Sequence, residues 1–286
     1  MPAIDELLKN SVIIINKPPG HSSHEITTFV KKITGSARAG HAGTLDPDVS
    51  GVLPVALGRA TKLLQYIAGK DKTYVGIMKF RQPPESIGRL FAKFTGTLVQ
   101  TPPKMSAVRK APRRRTVHSL KLLQAKGNIA LFEAKVDAGT YIRTLCEDMG
   151  KECGGARMEE LRRTAVGKIS EKDSWRMEDV IDAMWLWKNR GDESMLRKML
   201  RPPESLIGLP RAFIKESALN SIYSGAQVMT PAVEGMEAVE RGERVAMYCG
   251  GLFIGVGVAQ VSDRDLAAGK KKGLAIRLER IHRPEK

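Results

Sequence analysis

The chain has 286 residues, 42% hydrophobic and 27% charged, which is long and apolar enough to bury a core and excludes overall disorder. Lys and Arg number 47 against 31 Asp and Glu, a formal charge of +16, so basicity is the property that a function must explain. Three cysteines, Cys146, Cys153 and Cys249, contain no CxxC pair; a disulfide framework or zinc ribbon is excluded, and a reducing, cytoplasmic location is expected.

The opening MPAIDELLKN is acidic and places no basic flank ahead of an apolar run, so no secretory signal is read there. Ser22 and Glu25 have capping-box spacing, and Ile26, Phe29, Val30 and Ile33 follow at one-face spacing, which predicts a helix that stops at Gly35. Residues 40–48 (GHAGTLDPD) combine small residues, a His, two acids and a Pro, a loop composition. Pro47 is expected to hold the chain extended so that Asp46 and Asp48 diverge, leaving one carboxylate central at most. From Thr73 to Phe80 the residues alternate, which predicts a strand from which Tyr74 projects. Arg109, Lys110, Arg113, Arg114 and Arg115 crowd a segment stiffened by Pro112 and preceded by Pro102-Pro103, read as an extended arginine loop for phosphate contacts; Lys270-Lys271-Lys272 has the same character. Ile129–Val136 reads as a strand, Ala138-Gly139 as a turn, Ile142–Lys151 as a helix and 177–199 as helical.

The Pro pair at 202–203 marks a boundary, giving a larger domain over 1–205 and a smaller one over 206–286. Most of the positive charge, +13, falls in the larger part and +3 in the smaller. Short β-type runs at 245–248, 252–261 and 274–281 suit a small β-barrel. The uncharged stretch 245–262 approaches membrane-span length, but Gly250-Gly251 interrupts it and alternation follows, so it reads as a hairpin and no membrane is expected. His21 and His24 lack a nearby cysteine, and His118 and His282 have no ligand-spaced partner in sequence, so no metal site is expected. Walker, Rossmann and GxSxG patterns are absent.

Several ordered segments together resemble the TruB/dyskerin family of pseudouridine synthases, most closely its archaeal H/ACA type. Residues 15–20 (INKPPG) are similar to the first motif, 40–47 (GHAGTLDP) to the catalytic loop and 72–74 (KTY) to the tyrosine motif. Residues 139–145 (GTYIRTL) resemble the arginine motif, 161–164 (LRRT) the pocket strand, and 102–103 with 106–109 a further family segment. From 214–218 and 225–226 onward the chain resembles a PUA domain.

The resemblance implies an α+β fold, with a mixed, mainly antiparallel sheet flanked by helices and a small PUA barrel. It implies isomerisation of uridine to pseudouridine in RNA: the C1′–N1 bond breaks, the base turns, and C1′ joins C5, with no cofactor and no metal. Asp46 would attack covalently or take a ribose proton, both routes remaining open. Arg143 would pair with Asp46 and hold it ionised and aimed; Tyr74 would stack on the everted base and take part in removing the C5 proton. His41 would place the substrate, Lys17 would brace the loop, and Tyr141, Ile142 and Leu161 would line the pocket. The implied partners are an H/ACA guide RNA with rRNA, tRNA, a small zinc-binding protein, a Gar-type protein and a kink-turn-binding ribosomal protein. Stand-alone action on the T-loop uridine of tRNA, and an RNA-binding scaffold with secondary catalysis, are the alternatives. Archaeal relatives typically carry a longer N-terminal extension against the PUA domain, which leaves that interface open.

Overall fold

The computed structural model describes residues 2–102, 109–269 and 272–283. Pro103, Ser106, Ala107, Val108, Lys270 and Lys271 lie outside the described residues. The chain divides into two compact units, Met1–Pro202 and Pro203–Lys286.

The first unit runs α1 (Ile4–Leu8), β1 (Val12–Lys17), α2 (Ser23–Thr34), β2 (Ala39–His41), β3 (Ser50–Leu57), α3 (Leu64–Ala68), β4 (Lys72–Phe80), α4 (Ile87–Lys93), β5 (Gly96–Gln100), β6 (Arg113–Lys126), β7 (Ile129–Val136), α5 (Ile142–Lys151), β8 (Ala156–Val166), β9 (Ile169–Ser170) and α6 (Met177–Arg190). Its nine strands form one sheet in the order β1-β3-β8-β4-β7-β6-β5, with β2 on β3 and β9 on β8. Every pairing is antiparallel except the short β3–β8 contact, in which Ser50 and Gly51 meet Arg162 and Arg163. The expected mixed, mainly antiparallel sheet is therefore present.

Local chemistry explains the elements nearest the loop at 42–49. In α2 the Ser22 side chain accepts from the Glu25 N–H and Glu25 accepts from the Ser22 N–H, so two orphan helix donors are satisfied. Ile26 and Val30 bury on a core shared with Ile13, Ile15, Leu53 and Val180, whereas Phe29, at the margin of the apolar stripe, is 42% exposed. In β4 the residues Tyr74, Gly76, Met78 and Phe80 are buried while Thr73, Val75, Ile77 and Lys79 are only half so, the period-2 pattern of a strand with one core face. That face joins a second cluster with Leu45, Phe132, Ile142, Leu145 and Met149.

Three sequence expectations are corrected. Gly40 and His41 belong to β2, because they pair with Ala56 and Val55 of β3. Residues 46–49 are not extended: the Val49 N–H donates to Asp46 O at 3.0 Å, closing a turn with Pro47 inside it, where its fixed φ suits the second turn position. Arg113, Arg114 and Arg115 are not in a loop either, since they begin β6 and pair with Gln100, Val99 and Leu98.

The β3–β8 junction depends on Gly51, whose φ is +108°; a Cβ at this position would stand 2.1 Å from the Arg163 carbonyl oxygen. Gly51→Ala is expected to cost roughly 3 kcal/mol or more, through clash and left-handed strain together. Urea unfolding of the variant measures it, and wild-type stability would contradict so close a packing.

In the second unit the strands are β10 (Arg211–Ile214), β11 (Val228–Met229), β12 (Val233–Met236), β13 (Arg244–Cys249), β14 (Leu252–Ala259) and β15 (Leu274–Ile281). They form a barrel-like sheet in the order β11-β15-β14-β13-β10-β12 around Ile214, Val245, Met247, Ile254 and Ile276. The uncharged stretch is the β13–β14 hairpin, turned at Gly250-Gly251 with φ of +53° and +81°. No helix among the described residues is long and apolar enough to cross a membrane.

Candidate active site

The turn carrying Asp46 hangs from polar side chains that are buried beneath it. Lys17, the last residue of β1, is fully buried, and its ammonium donates to the carbonyls of Pro18 (2.8 Å), His21 (2.5 Å) and Pro47 (2.9 Å). Burial lowers the Lys17 pKa from its ordinary value, while Asp48 and Asp46 act against that shift. Ser23, in the first turn of α2, grips Leu45 from both sides: its hydroxyl donates to Leu45 O at 3.0 Å and accepts from Leu45 N–H at 2.8 Å. Gly20 N–H donates to Pro47 O at 3.0 Å.

Arg163 is the third support. It is 1% exposed, and its guanidinium donates to Val52 O at 2.8 Å and to Gly43 O at 3.0 Å while also facing the Tyr74 hydroxyl. Burial lowers its pKa and Tyr74 opposes the shift. Lys72 lies nearby, pulled down to about 8 by burial and by the Arg163 charge, with its ammonium on the carbonyls of Ala68 and Lys70.

Above this base the Asp46 carboxylate points outward, its side chain 61% exposed, and Arg143 Nη2 lies 3.6 Å from its Oδ2. That distance is an ion pair but too long for a hydrogen bond. Arg143 occupies the first turn of α5, and Tyr141, the residue before that helix, has no side-chain cap. Gln100 takes that place: buried at the end of β5, it accepts from Tyr141 N–H at 3.0 Å and donates to Tyr141 O at 3.2 Å. The Arg143 helix is thereby tied to the strand that leads into the arginine-rich segment.

Of the remaining expected site residues, several share an apolar cluster with Leu45 and Ile142, the sequence neighbours of the pair. Tyr74 and Ile142 are buried with Leu45 and Val49 in one apolar cluster, against which Leu161 packs. His41 is half-buried with its Nδ1 lacking a partner, and burial pushes its pKa down, leaving the ring neutral at pH 7. Arg113 and Arg115 line a cavity of about 80 Å³ with Gln100, Gly139 and Tyr141, and Arg115 Nε is buried there without a partner. Arg114, on the alternate face of β6, is exposed, as are Arg109 and Lys110.

Sequence reading missed Ser23, Gln100 and Arg163 as site residues; Arg163 sits inside the LRRT segment, next to the pocket residue Leu161. It also missed that folding brings Asp71 and Asp137 to His118, with ligand-type atoms all within 4.8 Å of one another. His118 Nε2 and Asp137 Oδ1 are 2.9 Å apart, and this surface group is already hydrogen-bonded within itself. Burial drives the Cys146 thiol up to about 12, which removes it as a nucleophile.

Comparison with known proteins identifies the family. The profile for the N-terminal domain of TruB family pseudouridylate synthases matches residues 31–87, that for the tRNA pseudouridylate synthase B C-terminal domain matches 143–208, and the PUA domain profile matches 210–282. The probable tRNA pseudouridine synthase B of Pyrobaculum aerophilum is 40% identical over 97% of this chain and 85% of its own length. That of Methanocaldococcus jannaschii is 41% identical over 98% and 84%. Among solved structures, a chain of a Cbf5-Nop10-Gar1 complex superposes with a TM-score of 0.91 at 36% identity, covering 99% of this chain and 88% of that one. A chain of an H/ACA RNP bound to a substrate RNA containing 2′-deoxyuridine gives 0.90 at 35%, covering 99% and 88%. Full-length similarity of this degree, on a fold that sets Asp46 beside Arg143, means that the chain belongs to the TruB family of pseudouridine synthases and carries a PUA domain.

Proposed function

We propose that this chain isomerises uridine in RNA at Asp46, as the catalytic subunit of an H/ACA-type ribonucleoprotein. The observation that carries the reading is the Asp46–Arg143 pair, 3.6 Å apart, on a turn whose backbone is fixed by Lys17, Ser23 and Arg163. A carboxylate that reacts with a ribose carbon or its proton has to be open to the nucleotide yet fixed in place, and both conditions are met here.

Asp46 acts on the ribose, as nucleophile or as base. The C1′–N1 bond breaks, the uracil turns, C1′ bonds to C5, and the proton leaves C5 as N1 gains one, so uridine and product are isomers and no redox partner or energy source is consumed. Arg143 aims the carboxylate. Tyr74 lies under the base and takes part in removing the C5 proton. Its apolar surroundings, with Ile142 and Leu161, compensate the stacking lost when the base leaves its helix. Tyr141 lines the same pocket, neutral His41 places the nucleotide, and Lys17 braces the turn. Arg109, Lys110, Arg113, Arg114 and Arg115 hold RNA phosphates.

Residues 1–205 form the catalytic domain in this reading and 206–286 the RNA-binding PUA domain. The solved relatives support a Nop10-type protein, a Gar1-type protein and a substrate RNA as partners; in this reading the small zinc-binding protein is the Nop10-type one, and a guide RNA and a kink-turn-binding ribosomal protein complete the set. Three free cysteines suit the reducing cytoplasm as the place of action. The tRNA synthase names of the relatives support a second reading, modification of the tRNA T-loop uridine without a guide.

One assay separates the two. Purified protein is incubated with an unmodified tRNA transcript and with an rRNA fragment, each with and without guide RNA and partner proteins, and pseudouridines are mapped. Guide-dependent modification of the rRNA fragment is expected; modification confined to tRNA, with no response to guide, selects the second reading.

A further inference from the structure

A second basic surface lies at the opposite end of β4 from the active site. Here Lys79, Arg81, Asn128, Gly155 and Arg157 line a cavity of about 380 Å³, within the range of sites that hold ligands larger than a single ion. Strand alternation places Lys79 on the half-buried face of β4, opposite the core face, and register sets it directly across from Arg157 of β8. Like charges opposed across a strand pair are destabilising, so the arrangement calls for an anion between or beside them. Arg157 is paired with Glu159, Nε to Oε1 at 2.7 Å. Lys79 and Arg81 have no ion pair among the described residues, so the cavity keeps two uncompensated positive charges.

The walls also say what kind of anion enters. The Arg81 N–H donates to Gly155 O at 2.8 Å, and its side chain lies across Gly155, where a Cβ would come within 3.5 Å of it. Asn128 is spent on the strand end, its amide donating to Phe80 O at 2.9 Å. Phe80 is 1% exposed and offers no ring face for a base to stack on. What remains is a fork of guanidinium and ammonium groups, which grips phosphate oxygens without reading a base.

We propose that Lys79, Arg81 and Arg157 form a binding site for a phosphate of the RNA backbone, remote from the reacting nucleotide. Arg81 follows Tyr74 by seven residues of extended chain, about 23 Å at strand rise, so the site holds a segment of RNA well beyond the target uridine. The proposal rests on RNA being the substrate, and it adds a sequence-independent grip at a distance from the chemistry.

The test uses the full-length double variant Lys79→Gln/Arg81→Gln with an unmodified tRNA transcript as probe. Each phosphate contact contributes about 0.7–0.9 to the slope of log K against log salt, so loss of the one held here should make the slope shallower by roughly 0.7–0.9. Affinity should fall roughly five- to eightfold near 0.1 M salt. The single-turnover rate of pseudouridine formation at saturating protein, on the rRNA fragment with guide RNA and partner proteins, should stay at the wild-type value, and melting should not fall, since opposed like charges have been removed. The same charge loss at Lys31 and Lys32, exposed on α2, serves as control and should move the slope by less than half as much. An unchanged slope in the double variant, or an equal change in the control, overturns the proposal. Titration with inorganic phosphate gives the other arm: binding to wild type that the variant loses, with RNA affinity intact, makes this a free-phosphate site and overturns the RNA assignment. A slope change in the double variant, beside wild-type protein that makes no pseudouridine in tRNA or in the rRNA fragment supplied with guide RNA and partner proteins, would uphold this site and reject the catalytic reading, so the two fail separately.

Discussion

Asp46→Asn is expected to lower pseudouridine formation by roughly a thousandfold or more, as loss of a reacting group does in other enzymes, while RNA affinity stays within about threefold. The substitution is nearly isosteric and removes only the negative charge and the basicity. An amide neither attacks the ribose nor takes its proton, so both open routes are closed together. Folding should be almost untouched. The Asp46 side chain is 61% exposed and its partner Arg143 46%, and an exposed pair at 3.6 Å is worth little to stability. The turn does not depend on the carboxylate either, since it closes through Asp46 O and Val49 N–H and is held by Lys17 at Pro47. Site-specific mapping of pseudouridine after single-turnover incubation is the measurement, with melting as the control. Conversion at the wild-type rate would remove Asp46 from the chemistry. Loss of folding and activity together would make it structural. Retained RNA binding without conversion assigns the chemistry to Asp46 and leaves RNA recognition to other residues.

Much of the frame around Asp46 was legible from residue patterns. The alternation in β4, the Ser22–Glu25 box opening α2, and the bounds of β7 and α5 follow from neighbours in sequence, where helix and strand periodicities act. What failed depended on partners far along the chain. Arg113–Arg115 read as a loop because charge and Pro112 hid a strand that exists by virtue of pairing with β5. Pro47 fixed one dihedral, but the turn needed the Val49–Asp46 hydrogen bond as well.

The supports beneath the turn were harder still. Ser23, Gln100 and Arg163 have ordinary surface side chains, and their burial comes from bonds spanning 22, 41 and 111 residues. No local pattern marks a polar residue that a distant carbonyl will claim. Family resemblance named Lys17 through its motif, whereas its full burial follows only from three carbonyls converging on one ammonium.

Among these supports Arg163 should give the largest combined loss. Arg163→Met is expected to destabilise the protein by about 2–4 kcal/mol, because removing the donor leaves the Val52 and Gly43 carbonyls buried without partners, at about 1–3 kcal/mol each. Relief of burying a cation works in the other direction. It does not win here, since Arg163 ranks among the largest fully buried side chains and the shorter thioether also leaves a void. Activity should fall further than stability explains. Gly43 lies three residues before Asp46, and a shift of about 1 Å at a reacting group costs roughly a hundredfold. Arg163→Lys separates the two effects. Its single ammonium keeps the charge but cannot fork to Val52, Gly43 and Tyr74 together, so the variant should fold, show kcat reduced about tenfold and leave KM for RNA near the wild-type value. That split is the mark of a positioning residue, as a purely structural one would lose activity only in proportion to folded protein. Urea unfolding, single-turnover rates and KM for both variants give the answer. Full kcat in Arg163→Lys and Arg163→Met, scored per folded molecule, would show that the Asp46 turn holds its place without this guanidinium.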